Sequence, residues 1–209
     1  MAAHRRAATG GHRRALHTVS LALERGRVDS GATADICPLG AAQAAPLARI
    51  LRSLHRLAPP HAPPNPLRGV PLQERQHVVE ERLQRLDLQE LVRPWKEAIE
   101  APPARDRVWL HGDLHPRNVL VQDGALAGLI DWGDVTAGDV ATDLACAWML
   151  FAYARARTLF LEAYAPSEQV QARAAGWAVH FASGLIDSGE PRHVQIGLSA
   201  MRRLAGAEE

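Results

Sequence analysis

The run His111-Gly112-Asp113-Leu114-His115-Pro116-Arg117-Asn118, followed after two short apolar stretches by Ile130-Asp131-Trp132-Gly133-Asp134, decides how this chain is read. Between His111 and Asp143 stand six of the eleven aspartates and no glutamate. Solvated surface normally mixes the two acids, whereas short, stiff aspartates on loops suit metal binding or proton transfer. Residues 119–121 and 126–130 are apolar runs too short for helices, and Asp123-Gly124 between them is a turn signal. The two acidic motifs are therefore predicted to be joined by a β-hairpin.

Outward from this centre the pattern is helical. Val108-Trp109-Leu110 is one more short strand, and Pro102-Pro103 closes the helical region before it. Leu47, Ile50, Leu51, Leu54 and Leu57 recur at helical spacing, predicting an amphipathic helix from Pro46 to Pro59-Pro60. Residues 59–71 are a proline-rich connector, read as an ordered crossing loop. A second helix starts near Pro71 and runs through Val78, Val79, Leu83 and Leu86; a third covers 88–99, with Pro94 bending or dividing it. After Asp143 the helical period returns over 144–153, 156–164, 167–185 and 193–204. The plan is α+β and mainly helical: helices, a small sheet, then helices. Residues 1–37 show no sustained period, although Leu16, Val19, Leu21 and Leu23 suit one short strand or one helical turn. An irregular or poorly ordered segment is expected there, with 38–209 forming the domain.

Composition narrows the function classes. The 209 residues, 47% apolar, allow one well-buried domain, or one domain plus an incomplete companion. Lys+Arg 24 against Asp+Glu 23 leaves a formal charge of +1, so no global field draws nucleic acid or an anionic membrane, and neither is expected as a partner. The longest apolar run, 144–154, is far short of the roughly 20 residues that cross a bilayer. Cys37 and Cys146 stand far apart without a second pair, which argues against a disulfide framework or a thiolate zinc site and for a cytoplasmic location. The Arg- and Ala-rich N-terminus, with its first acid at Glu24, superficially resembles a transit peptide. Because that richness continues along the whole chain, codon usage explains it better. Lys96 is the single lysine.

In order and spacing, His111, Asp113-Leu114 and Asn118, then Asp131 and Gly133, resemble the H-x-D-L-x-x-x-N loop and D-F-G signature of the protein-kinase-like superfamily. Gly112 after the histidine and the Ile-Asp-Trp-Gly-Asp form of the second motif resemble its aminoglycoside phosphotransferase and choline kinase branch. The resemblance extends through Gly138-Asp139 and Asp143-Leu144-Ala145 and back to Leu54-His55-Arg56-Leu57, covering roughly 45–205, most of a kinase-like C-terminal lobe whose β-hairpin region carries the catalytic loop. It implies ATP-dependent, Mg²⁺-requiring transfer of a phosphoryl group to a hydroxyl of a small molecule. Such transfer needs a carboxylate to orient the attacking hydroxyl and cations to neutralise phosphate oxygens. Asp113 matches the first role; Asn118 and Asp131 match the metal ligands. His111 is expected to support the loop. His115 faces substrate or phosphate, or only packs; Asp134 assists metal or substrate contacts, or only caps the loop. Asp143 resembles the buried aspartate that holds the catalytic-loop backbone, and Asp139 is read as a cap for the following helix. Trp132, Trp148 and Cys146 read as core, His55 and His180 as packing or surface histidines.

The nucleotide lobe of such an enzyme needs a glycine-rich loop, a strand lysine and a helix glutamate. No G-x-G-x-x-G occurs, Gly10-Gly11 lacks a strand pattern, and Lys96 lies just before the catalytic region in a helical context. With 110 residues ahead of His111, most of them helical, the N-terminal nucleotide lobe is expected to be absent and the chain to be a truncated family member. The alternative is a catalytically silent lobe, a pseudoenzyme or interaction module; a partner that supplies the missing lobe is left open. A metallophosphoesterase would need further histidine ligands, yet after His115 the next histidine is His180. In 144–205 the acids Glu162, Glu168, Asp187 and Glu190 are outnumbered by arginines, which favours a neutral or anionic hydroxylated substrate over a polycationic aminoglycoside.

Overall fold

The structure, a computed structural model, describes residues 31–206. The strand or turn expected around residues 16–23 and the transit-like N-terminus lie outside the described residues. Among the described residues no helix is long and apolar enough to cross a membrane.

Among the described residues five short strands form two small sheets. Strands β1 (Ala32–Thr33), β3 (Val119–Gln122) and β4 (Ala125–Leu129) make an antiparallel sheet in the order β1-β3-β4. Strands β2 (Val108–Leu110) and β5 (Thr136–Gly138) pair antiparallel, Trp109 opposite Ala137. The hairpin expected between the acidic motifs is β3-β4. Its Asp123 and Gly124 take φ of 51° and 74°, the positive values a two-residue hairpin turn demands. Within the segment expected to be irregular, Ala32 and Thr33 form the short strand β1. Thr33 pairs with Leu120 and Ala34 is buried, because β3 offers an edge whose backbone groups would otherwise lack partners.

Eight α-helices surround the sheets among the described residues: α1 (Ala44–Leu54), α2 (Gln76–Arg85), α3 (Val92–Glu100), α4 (Ala141–Leu144), α5 (Cys146–Leu150), α6 (Ala154–Tyr164), α7 (Glu168–Asp187) and α8 (Pro191–Leu204). Helix α1 buries Leu47, Ala48, Leu51 and Leu54 but ends before Pro59-Pro60: His55 leaves the helical region at ψ 61°, and Leu57 bridges to Val108 and stays 74% exposed. Pro94 does not divide α3. It occupies the third position of the helix, in the first turn, where a proline is tolerated. Helix α7, capped by Ser167 Oγ, runs through the core and buries Trp177, Ala178, Val179 and Ala182 against α3 and α8. Each large apolar side chain so buried is worth about 1.5–3 kcal/mol. Trp132 and Trp148 pack partly buried on this core, and Cys146 is fully inside it.

One buried ion pair fixes the sheet to the helices. Arg173 of α7 grips both carboxylate oxygens of Asp139 and donates to the Pro102 carbonyl at 2.7 Å. Asp139 also accepts from the Ala141 N–H at 3.1 Å, the cap expected of it. Beside it the connector is pressed onto β5: a side chain at Gly138 would lie 2.1 Å from the Gly69 carbonyl oxygen, so the strand can approach this closely only through glycine. That contact carries the connector's Asn65 and Arg68 to the acidic motifs.

Candidate active site

The loop from His111 to Asn118 is held from beneath. Asp143, wholly buried at the start of the helical half, accepts from the backbone N–H of His111 at 2.7 Å and of Gly112 at 2.8 Å. His55 Nε2 donates to the same carboxylate at 3.1 Å, and its Nδ1 meets the Tyr164 hydroxyl at 2.7 Å. Burial pushes the Asp143 carboxyl up, but the His55 hydrogen bond and the nearby charges outweigh it and hold it below the usual carboxylate range. The half-buried Tyr164 phenol is pushed up to about 12 by desolvation and the Asp143 charge, and keeps its proton. His55 is thus no surface histidine: it links α1 and α6 to the loop through Asp143.

Local backbone geometry explains the glycine of the first motif. Gly112 sits at φ +88°, and a Cβ there would lie 2.4 Å from the Asp134 carbonyl oxygen. His111 is fully buried, its Nε2 donating to the Ile130 carbonyl at 3.0 Å while its Nδ1 accepts from the Asp113 N–H at 3.4 Å; its ring lies 4.6 Å from that of Trp132. The Ile130 N–H in turn donates to the Asn118 carbonyl at 3.0 Å. These bonds stitch the open end of the β3-β4 hairpin, where Asn118 and Asp131 stand, to the loop that carries Asp113.

Asp113 is the centre of a ring of donors. Arg68 donates to its Oδ1 at 2.9 Å; Asn118 Nδ2 reaches its Oδ2 at 3.3 Å and its carbonyl at 2.9 Å; His115 Nε2 lies 3.4 Å from Oδ2. Desolvation raises this carboxyl, but the His115 hydrogen bond and the charges of Arg68, His115 and His111 win, leaving it below its ordinary value. His115 also caps the 3-10 turn Pro116–Asn118 by accepting from the Arg117 N–H. Asp134 accepts from Asn65 Nδ2 at 3.0 Å and pairs with Arg68 at 3.6 Å, so its partners come from the connector.

Asp131 stands apart. It is exposed, takes a left-handed backbone at φ 57°, and makes no hydrogen bond or ion pair within the described residues. Asn118 spends its amide nitrogen on Asp113, which turns its side-chain oxygen to the other side. A carboxylate without a partner among the described residues and a neutral amide oxygen are a donor set suited to a hard divalent cation. No group of three or more His, Cys, Asp or Glu side chains gathers at metal-binding distance among the described residues.

A cavity of about 350 Å³ opens beside Asp113, lined by Arg68, Arg75, Arg82, His115 and His180 among others. His180, read from sequence as packing or surface, is in its wall. Arg68, Arg75 and Arg82 drew no attention as sequence, because arginines are common throughout the chain; the only available signal was their position on the connector and the helix after it. A larger cavity of about 700 Å³, lined by Ala34, Pro116, Phe151, Tyr153 and Ile196 among others, contains none of the motif acids.

The two small sheets, the acid-bearing loop and hairpin, and the surrounding helices define a C-terminal lobe of the protein-kinase-like class. The sequence profile of the phosphotransferase enzyme family (APH) matches residues 14–179, and the chain belongs to that family. Its fold is similar to that of macrolide 2'-phosphotransferase MphH from Brachybacterium faecium (TM-score 0.50, 17% identity, 91% of this chain and 78% of that one). It is also similar to AMP-bound spectinomycin phosphotransferase APH(9)-Ia (TM-score 0.57, 15% identity, 86% and 70%). The uncharacterized protein YcbJ of Bacillus subtilis (strain 168) is 28% identical over 102 residues, 44% of this chain. This chain spans about a third, 33%, of that relative's length.

Proposed function

We propose that this chain carries the phosphoryl-transfer site of an ATP-dependent, Mg²⁺-requiring small-molecule kinase, built on the lobe assigned to residues 38–209 together with the β1 edge. The observation that carries the reading is the stitching of the two motifs: the Ile130 N–H bonded to the Asn118 carbonyl, and the Asn118 amide bonded to Asp113. Asp113 orients the acceptor hydroxyl and takes its proton as the O–P bond forms. A carboxylate held ionised by its neighbours, as Asp113 is, suits orientation more than strong basicity. Asn118 and Asp131 hold Mg²⁺, which when bound neutralises charge on the phosphate oxygens. Asp143, His55 and His111 keep the loop in place without touching the reacting atoms; His115 and Asp134 flank the acceptor side. The nucleotides named with the structurally similar spectinomycin phosphotransferase, AMP and ADP, support ATP as donor.

A catalytically silent lobe is the competing reading, and one contact favours it: Arg68 occupies Asp113 Oδ1, where an acceptor hydroxyl would approach. Calorimetry and turnover with MgATP separate the two. Heat of nucleotide binding and ADP release with a hydroxylated acceptor support the kinase; neither, from folded protein, supports the silent lobe.

A further inference from the structure

The charges around the cavity beside Asp113 do not cancel. Arg68 is shared between Asp113 and Asp134. Arg82 and Arg85 share the single carboxylate of Asp187, at 3.3 and 2.8 Å. Arg75 has no acid partner among the described residues, and its Nε is buried without a hydrogen bond. His180, 7% exposed and wedged against Trp177 and Phe181, leaves its Nδ1 equally unpartnered. Buried polar nitrogens are normally satisfied, since each orphan costs about 1–3 kcal/mol. Both residues line the cavity, and Arg75 brings to it a charge that no acid among the described residues balances.

The surroundings agree. Burial above all, and then the charges of Arg68, Arg82 and Arg75, push His180 down to about 3, so it stands in the cavity wall as a neutral ring. The Arg68 guanidinium carbon lies 5.0 Å from the centre of the Phe181 ring, and the Arg82 guanidinium lies against Gly184, where a Cβ would come within 3.4 Å of it. Guanidinium forks bind planar carboxylates and phosphates in two-point fashion.

We propose that this cavity takes an anionic acceptor, an alcohol bearing a phosphate or carboxylate group that Arg75 and His180 bind, with Arg68 and Arg82 alongside, while its hydroxyl lies at Asp113. This rests on the phosphotransfer reading for the reaction, in which the acceptor oxygen gains the phosphoryl group, ADP leaves and the hydroxyl proton passes to Asp113. The anion also offers Arg68 an alternative partner, which frees Asp113 Oδ1. A polycationic acceptor is excluded by the same charges.

Binding is measured by calorimetry on the full chain without nucleotide, at low and high salt, using inorganic phosphate, glycerol 3-phosphate, glycerate, glycerol and spermidine. Phosphate-bearing or carboxylate-bearing probes are expected to bind, weaker at high salt, with glycerol and spermidine silent; the two anionic arms tell which group the site prefers. Arg75→Gln is expected to weaken anion binding at least tenfold with an unchanged unfolding midpoint, and Arg75→Lys to recover part of it. Should Arg75→Gln misfold, Arg82→Gln, whose partner Asp187 keeps Arg85, is expected to weaken binding in the same direction. The proposal is overturned if no anion binds, if spermidine or glycerol binds as tightly, or if a folded Arg75→Gln protein binds anions like wild type. Failure of ATP turnover alone counts against the kinase reading and leaves this binding result standing; turnover of a neutral or cationic alcohol without anion binding sinks the present inference alone.

Discussion

Two buried polar regions flank the His111–Asn118 loop, and they are built in opposite ways. Beneath it, Asp143 has four near neighbours in two backbone N–H groups, His55 and, through His55, Tyr164; its donors and acceptors match. Beside it, around the cavity of Arg75 and His180, buried nitrogens lack partners and Arg75 lacks an acid among the described residues. A satisfied network rigidifies, whereas an unbalanced charge on a cavity wall leaves capacity for a ligand. The first region therefore belongs to support and the second to recognition.

The sharpest way to break this contrast is on the satisfied side. Asp143→Ala orphans two backbone donors and His55, and is expected to cost about 3–5 kcal/mol, read by chemical denaturation. Its carboxyl lies below the ordinary aspartate value of 3.8, so its stabilising contribution is intact above about pH 4 and lost as pH falls further. Arg173→Met, which leaves Asp139 charged in the core, is expected to cost a similar or slightly smaller amount, about 3–4 kcal/mol by the same measurement. A loss below about 1 kcal/mol in either variant would mean that these networks are not the supports described here.

On the unsatisfied side the expected effect is smaller and depends on pH. His180 folds neutral, pushed from 6.5 to about 3, while in the unfolded chain it takes up a proton near 6.5. Stability thus falls as pH drops from 6.5 towards 3, at up to about 1.4 kcal/mol per pH unit. His180→Gln is expected to flatten that slope by as much as one proton, read from denaturation at several pH values; an unchanged slope would place His180 in water. Smallest of all, Ser167→Ala removes only an N-cap and is expected to cost about 1 kcal/mol.

The same contrast explains what the sequence made legible. The support and the acids lie within His111–Asp143, so order and spacing exposed them, and the hairpin followed from Asp123-Gly124. His55, outside the motif, was not legible in its role: the helix it follows could be read, but its partner Asp143 is 88 residues away. The cavity draws Arg68 from the proline-rich connector, Arg75 and Arg82 from the segment after it, and His180 from α7. No local period links such segments; only tertiary packing, fixed in part by the Gly69–Gly138 approach and the Arg173–Asp139 pair, makes them neighbours. The end of α1 at Leu54 was likewise set by the bridge from Leu57 to Val108 rather than by the prolines beyond.

The central claim, that Asp113 orients an acceptor hydroxyl for phosphoryl transfer, is tested most directly by ADP release from MgATP with the anionic alcohol selected by the binding panel, comparing wild type with Asp113→Asn. The account predicts turnover by wild type and a loss of about 10²–10⁴-fold in Asp113→Asn, with acceptor binding kept. Equal rates for the two folded proteins would contradict it.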